Sequence, residues 1–306
     1  MAEIILHHYD TSPFSEKVRI GLGLKGLAWQ SVKIPNIMPK PDLMPLTGGY
    51  RKTPVMQIGA DIYCDTQLIM RELERRHPGP SFYPSGSAGS QDALAWWAEK
   101  SMFTPAVVVV FAHLGDQVPK EFKEDRAKMS GRNFDPAAMR AILPYQLDQL
   151  RAHLDWLGSA LADGRRFLAG AAPGLADLAA YHCVWFVQRR VGAKASPLDQ
   201  FPGVLAWTER VAAIGHGRPA EISSKDALAA AKAAKPETAA AQDAGDPAGR
   251  KPGQKVTVTP DDTGRDPVAG ELVASTAQEI VIRRSDPAVG EVHVHFPRAG
   301  FVVAPA

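Results

Sequence analysis

The start of the chain alternates short apolar runs with turn-forming residues. Residues 4–9, Ile-Ile-Leu-His-His-Tyr, predict a buried strand, and Thr11-Ser12-Pro13 then supplies a turn, an N-cap and a proline near a first helical position. Phe14, Val18, Ile20, Leu22 and Leu24 predict a buried amphipathic helix over 14–24 that Gly26 can end. Residues 29–34 read as a second strand, which completes a βαβ unit. The stretch 35–49 is rich in Pro, Met and Gly, has no period and predicts a loop, a kind of segment that often carries function. Apolar runs at 53–58 and 62–64 flank Gly59-Ala60-Asp61 and predict a hairpin. Asp65-Thr66 then opens a helix over 67–76, closed by His77-Pro78-Gly79-Pro80.

Beyond a linker near Ser85-Gly86-Ser87-Ala88-Gly89 the period becomes helical, with helices predicted at 90–115, 119–130, 136–162, 175–190 and 203–215. Residues 223–244 are dominated by Ala and Lys and predict an exposed helix or tether with little to anchor a core. Short strands follow at 255–259, 270–274, 279–283, 291–296 and 301–303, between Gly, Pro and Asp turns. The reading is an α+β chain in four parts: 1–80 mixed, 87–222 all-helical, 223–249 an Ala-rich helix or linker, and 250–306 a small β-unit. Pro and Gly punctuation at 247–253 suggests that the β-unit is separable.

A length of 306 residues implies at least two cores. A net charge of +2 with acids and bases mixed provides no basic stripe, so nucleic acid is not expected as a partner. The longest apolar stretch, Ala106 to Ala112, is far short of the roughly 20 residues that cross a bilayer, so no membrane partner is expected. The first residues lack the pattern of a secretory signal, which puts the expected mature start at residue 1 or 2. Cys64 and Cys183 stand far apart and outside any CxxC or CxxH pattern, which fits a reducing cytoplasm.

Three local motifs point further. Ser12-Pro13-Phe14-Ser15-Glu16-Lys17-Val18-Arg19, Thr53-Pro54 and Asp65-Thr66, at these separations, resemble the glutathione transferase superfamily over residues 3 to about 220. Gly174-Leu175-Ala176-Asp177 resembles that family's helical capping box, with Gly where Ser or Thr is usual, and Phe201-Pro202-Gly203 resembles the start of its penultimate helix. The resemblance implies a thioredoxin-like N-terminal domain, an all-α transferase domain and glutathione as co-substrate. The segment after residue 250 lies outside the pattern.

The resemblance also implies roles. Ser12 would donate to the glutathione sulfur and favour its thiolate. A cis peptide at Thr53-Pro54 would turn the Thr53 backbone outward to pair with the cysteinyl unit, as an added strand does. Asp65 would attract the γ-glutamyl ammonium while Thr66 and the helix N-terminus behind it take the carboxylate. Gln57 and Arg51 or Lys52 are candidates for the glycyl carboxylate, and Tyr9 is the alternative thiol donor. Trp96, Trp97, Phe103 and Phe111 lie where the family lines its electrophile site; core packing accounts for most of them, and one or two are expected to face the cleft. Family members are commonly homodimers, with Tyr50 as the candidate interface key. Cys64 reads as a buried strand cysteine rather than a redox thiol. His7 with His8, and His293 with His295, lack a third ligand, so no metal is expected. The expected function is conjugation of glutathione to a small hydrophobic electrophile; the rival is a non-catalytic glutathione-binding or scaffold protein that uses its β-unit to meet a partner.

Overall fold

The computed structural model describes residues 3–85, 88–192, 195–237 and 245–306. The N-terminal elements follow the expected order: β1 (Ile4–His8), α1 (Pro13–Leu24), β2 (Ala28–Lys33), α2 (Met44–Thr47), β3 (Val55–Ile58), β4 (Asp61–Cys64) and α3 (Thr66–Arg76). Strand β1 pairs parallel with β2 and antiparallel with β3, and β3 pairs antiparallel with β4. The Ser12 hydroxyl caps α1 by accepting from the Ser15 N–H at 3.1 Å, and Pro13 starts the helix where its missing N–H costs nothing.

The helical domain comprises α4 (Ala88–Trp97), a π turn at Ala98–Met102, α5 (Phe103–Leu114), α6 (Lys120–Ser130), α7 (Pro136–Ala141), α8 (Leu143–Ala160), α9 (Leu175–Arg190) and α10 (Pro202–Ala212). The single helix predicted over 136–162 is broken at Ile142. Pro144 explains the break, because its ring clashes with the carbonyl four residues back and it has no N–H to donate. Helix α9 lies at the centre of this domain, and its Asp177 carboxylate accepts from the N–H groups of Leu168, Ala169 and Gly174 and from Trp207 Nε1 at 2.7–3.1 Å. Glycine at position 174 has a steric cause: a Cβ there would lie 2.7 Å from that of Ala169 and 3.0 Å from the Phe82 carbonyl.

The C-terminal part departs most from the sequence reading. Strand β5 (Arg218–Glu221) adds parallel to β2, and α11 (Ser224–Ala233) is the helix of the expected helix-or-tether pair, but it packs on the sheet with Ala227 and Ala231 fully buried rather than standing exposed. The part of that expectation covering 238–244 lies outside the described residues. Strands β6 (Lys255–Pro260), β7 (Val268–Ser275), β8 (Glu279–Asp286), β9 (Gly290–Pro297) and β10 (Phe301–Pro305) continue the N-terminal sheet, giving the order β10-β6-β7-β8-β9-β4-β3-β1-β2-β5. The join is parallel pairing of β4 with β9, Asp61 to His293, Ile62 to Val294 and Tyr63 to His295. One apolar cluster runs across it, from Ile5, Val32 and Ile62 to Val258, Ile282, Val294 and Phe296.

This packing overturns two expectations. The β-unit is not separable in the sense the punctuation suggested, because it shares a sheet and a core with the first domain. Tyr50 is 1% exposed and packs against Phe296 and Phe301 within its own chain, which removes it as a surface interface key. A chain ended at residue 248 is therefore expected to expose the β4 edge and that apolar face. It should be insoluble or lose its cooperative thermal transition, as circular dichroism will report; a truncated chain melting like the full-length protein would reject the shared core.

Three buried histidines add an acid-sensitive element. Burial lowers His7 to about 4, His8 to about 3 and His182 to about 3, with neighbouring cations adding to the shift at His8 and His182. Each is neutral in the fold, while the unfolded chain protonates near ~6.5. Their stabilisation is complete above that pH and is lost as the pH falls toward the folded values, by about 1.4 kcal/mol per histidine per unit. Urea midpoints should fall between pH 6.5 and 4.5, and His182→Gln should reduce that slope by about one proton's worth.

Candidate functional site

Strand register gathers the candidate residues. His7 faces Val55, and Val55 faces Cys64, so the ends of β1, β3 and β4 lie in one row. The segments carrying Ser12, Thr53-Pro54 and Asp65-Thr66 all leave the sheet from this row. With strands about 4.8 Å apart, the row spans about 10 Å, the length of an extended tripeptide. The Thr53–Pro54 peptide is cis. Among the described residues no hydrogen bond takes up the Thr53 backbone N–H or C=O. Its Oγ1 accepts from Lys40 Nζ at 2.8 Å, and Lys40 also donates to the Arg51 carbonyl. Burial, then Arg126 and Arg51, lower the Lys40 pKa to about 7.

Asp65 caps α3, its Oδ1 accepting from the Gln67 N–H at 2.9 Å. Among the described residues it is the one non-glycine with positive φ, at 75°. Such backbone costs about 1–3 kcal/mol and is found where function holds it. Burial raises its pKa, opposed by Lys52 and the Gln67 N–H. Thr66 is buried beside it and accepts from Lys17 Nζ at 3.3 Å, while Lys17 also donates to Glu99 Oε1 at 2.5 Å. The sequence motif contains Lys17, but its partner Glu99 lies on the π turn of the other domain, which no local pattern could show.

The loop between β6 and β7 reaches the same edge. Asp262 pairs with Lys52 and, at 3.0 Å, with Lys100, and the Gly264 N–H donates to the Met129 carbonyl at 2.7 Å. Burial acts to raise the Asp262 pKa, but Lys52 and Lys100 outweigh it and hold the group well below the usual carboxylate range. Arg51 pairs with Asp125, which also takes Arg126 at 3.1 Å. Both cations considered for a glycyl carboxylate thus already have acidic partners. Gln57 is away from this edge: it is buried and bonds His7, the Gly59 carbonyl and the Ala227 carbonyl.

Ser12 is 2% exposed, accepts from the Ser15 N–H and also hydrogen-bonds the Tyr9 hydroxyl. Burial raises the Tyr9 pKa, and Arg126 and the nearby Ser12 hydroxyl partly offset this. Burial likewise pushes the Cys64 thiol well up, the opposite of a reactive thiolate. Of the aromatics, Phe103 lies 4.8 Å from Phe14 of α1, Phe111 stacks with Phe122, and Trp97 packs on His153 and Trp156. Phe14 and Phe103 are half-buried where the two domains meet.

Residues 6–81 match the glutathione S-transferase N-terminal domain and residues 95–210 the glutathione S-transferase C-terminal domain. A glutathione S-transferase-like protein from Pseudomonas syringae is 41% identical, with 100% of both chains covered and a TM-score of 0.83. The chain belongs to the glutathione S-transferase family. A glutathione S-transferase from Rhodospirillum rubrum shares the fold at 22% identity and a TM-score of 0.54, covering 68% of this chain and 87% of its own. No match was found among curated proteins. Strands β6–β10 of this family member lie beyond both matched domains but inside the full-length alignment with the Pseudomonas protein. No helix among the described residues is long and apolar enough to cross a membrane.

Within this glutathione S-transferase family chain, Asp262 neutralises Lys52 and Lys100 beside the Thr53–Asp65 edge, as Asp125 does Arg51. Asp262→Ala is expected to tighten the binding of glutathione about two- to fivefold at low salt, an effect that salt should erase. Calorimetry at two ionic strengths checks this; identical affinities for variant and parent in both would place the loop outside the ligand's field.

Proposed function

We propose that the protein is a glutathione transferase, with glutathione held along the Thr53-to-Thr66 edge and its thiolate directed at a small apolar electrophile beside Phe14 and Phe103. The observation that carries this reading is the pairing of an untaken Thr53 backbone N–H and C=O with a positive-φ Asp65 at the start of α3. Thr53 would bond the cysteinyl unit as a β-strand does. Asp65 would face the γ-glutamyl ammonium, and Thr66 with the α3 N-terminus would take the carboxylate. The Ser12 O–H would donate to the sulfur, whose proton leaves to solvent; the thiolate pair then forms the C–S bond, and with an aryl halide the carbon–halogen bond breaks and halide departs to solvent with its electron pair. Asp65→Ala should weaken glutathione binding about tenfold or more, the scale of a lost charge-assisted hydrogen bond, and more than it destabilises the fold, where losing the α3 cap costs about 1 kcal/mol. An unchanged affinity by calorimetry would remove Asp65 from the site.

The use of the Ser12 oxygen as a helix cap supports a second reading, a glutathione-binding protein without turnover. Turnover with a generic aryl halide separates the two, since both readings expect binding and only the first expects product. If Ser12 activates the thiol, Ser12→Ala should raise the bound thiol's pKa by about one unit and leave affinity nearly intact. Thiolate absorbance titrated against pH with glutathione bound reads this. A curve overlaying the parent's would make Ser12 only a cap and leave Tyr9, Thr11 and Ser15 as the donors to test.

A further inference from the structure

At the join of β4 and β9, three side chains on one sheet face bring polar atoms together. Asp61 is paired with His293 and Tyr63 with His295, so the two-residue period sets Asp61, His293 and His295 on the same side. All three are buried, and one ligand-type atom from each lies within 4.8 Å of the others. His295 Nε2 is 3.0 Å from Asp61 Oδ1, and His293 Nδ1 is 3.9 Å from the same oxygen. On the far side of the ring, His295 Nδ1 is 2.8 Å from Glu279 Oε1. The Tyr63 ring stacks on His295 with centroids 4.4 Å apart, and Asp61 Oδ2 accepts from the Glu237 N–H at 2.8 Å.

Both nitrogens of His295 face carboxylate oxygens, and a neutral imidazole has only one N–H. Either the ring is an imidazolium donating both ways, or a cation lies between Nε2 and Asp61. The imidazolium leaves one atom unexplained: His293 Nδ1 is buried with no hydrogen-bond partner among the described residues, in a side chain whose residue is 8% exposed. A cation uses every one of these atoms. We infer that Asp61, His293 and His295 form a site for a divalent transition-metal cation of the zinc class, with Glu279 orienting His295 from behind.

The geometry suits such an ion. Bonds of about 2.0–2.1 Å place neighbouring tetrahedral ligand atoms about 3.3 Å apart, and the observed 3.0 and 3.9 Å straddle that value. Two imidazoles and one carboxylate favour zinc, cobalt or nickel over magnesium or calcium. Glu279 accepting from Nδ1–H fixes the tautomer that presents Nε2, the usual carboxylate–histidine–metal relay. A solvent molecule would fill the fourth position. Asp61 opens β4 and Asp65 follows its end, about 13 Å along the strand, so the site is independent of the proposed glutathione edge. Its role is a clamp tying the C-terminal strands to the first domain.

The test uses the full-length protein, stripped with a chelator and moved to glutathione-free buffer because glutathione itself binds zinc. Titration with cobalt(II) should show one ion per chain, with the visible absorption of four-coordinate cobalt, and zinc should raise the melting temperature. His293→Ala should lose at least tenfold in affinity while melting close to the stripped parent, since it leaves Asp61, His295 and Glu279 in contact. Glu279→Gln should bind about 10- to 100-fold more weakly. If His293→Ala does not fold, His293→Gln serves the same comparison. Absence of stoichiometric uptake by the parent would overturn the site and leave His295 as an imidazolium; uptake undiminished in the His293 variant would overturn it by placing the ion elsewhere.

Discussion

Strand β4 ends the thioredoxin-like portion of the sheet, and an edge strand presents a row of unpaired N–H and C=O groups that invites other chains. Parallel pairing with β9 closes that edge, and the rest of the architecture depends on it. It lets β6–β10 share the apolar face of β1, β3 and β4, which buries Tyr50, Ile62 and Phe296 in a common cluster. It also sets where the β6–β7 loop falls, and so brings Asp262 against Lys52 and Lys100. A segment distant in sequence thereby contributes charge to the edge where β1, β3 and β4 end.

The opposite face of the sheet is organised by α1, which lies between the strands and α9 and carries buried Glu16, Lys17 and Arg19. Each has partners: Glu16 bonds Arg19 at 2.6 Å, His216 at 3.1 Å and the Tyr181 hydroxyl at 3.3 Å, while Lys17 joins Thr66 to Glu99. Buried pairs of this kind often add little net stability, because desolvation offsets their attraction. Their geometric effect is more certain. Lys17 fixes α3's first residue against the π turn of the helical domain, and Glu16 ties α1 to α9. The helix that starts at Ser12 is thus held from both domains, which sets the distance between Phe14 and Phe103.

The sequence made the N-terminal elements legible because apolar period and punctuation agree there, and it marked Asp65-Thr66 as a helix opening. Pro144 carries the signal for the break at Ile142, although the apolar period runs on across it. Other features had no local signal. Strand β5 is Arg-Pro-Ala-Glu, exposed throughout, and exists only because the edge of β2 was open. Helix α11 anchors itself through two alanines, too small to register as a core-forming stripe. Gln57 and Tyr50 look like surface chemistry in a sequence and are buried because α11 and β9 cover them. Asp61 becomes a neighbour of His293 and His295 only through a pairing between residues more than 200 positions apart, which periodicity cannot specify.

Arithmetic limits how much of the proposed reaction can come from ionising the thiol. A thiol of pKa about 8.5 is about 3% ionised at pH 7, and lowering it to about 7 raises the thiolate roughly 16-fold. Nucleophilicity falls with basicity, and a Brønsted slope of about 0.45 for thiol exchange makes that loss roughly fivefold. The net gain is about threefold, equivalent to about 0.7 kcal/mol of barrier. Orientation can contribute about 7–11 kcal/mol in well-aligned intramolecular reactions, so the larger share must come from geometry. The hydroxyl at Ser12 is then less consequential than the rigidity of what surrounds it. A row of three strand ends, a helix clamped between two domains and a half-buried aromatic pair provide that rigidity, and each traces back to an apolar pattern or a buried ion pair rather than to the reacting group.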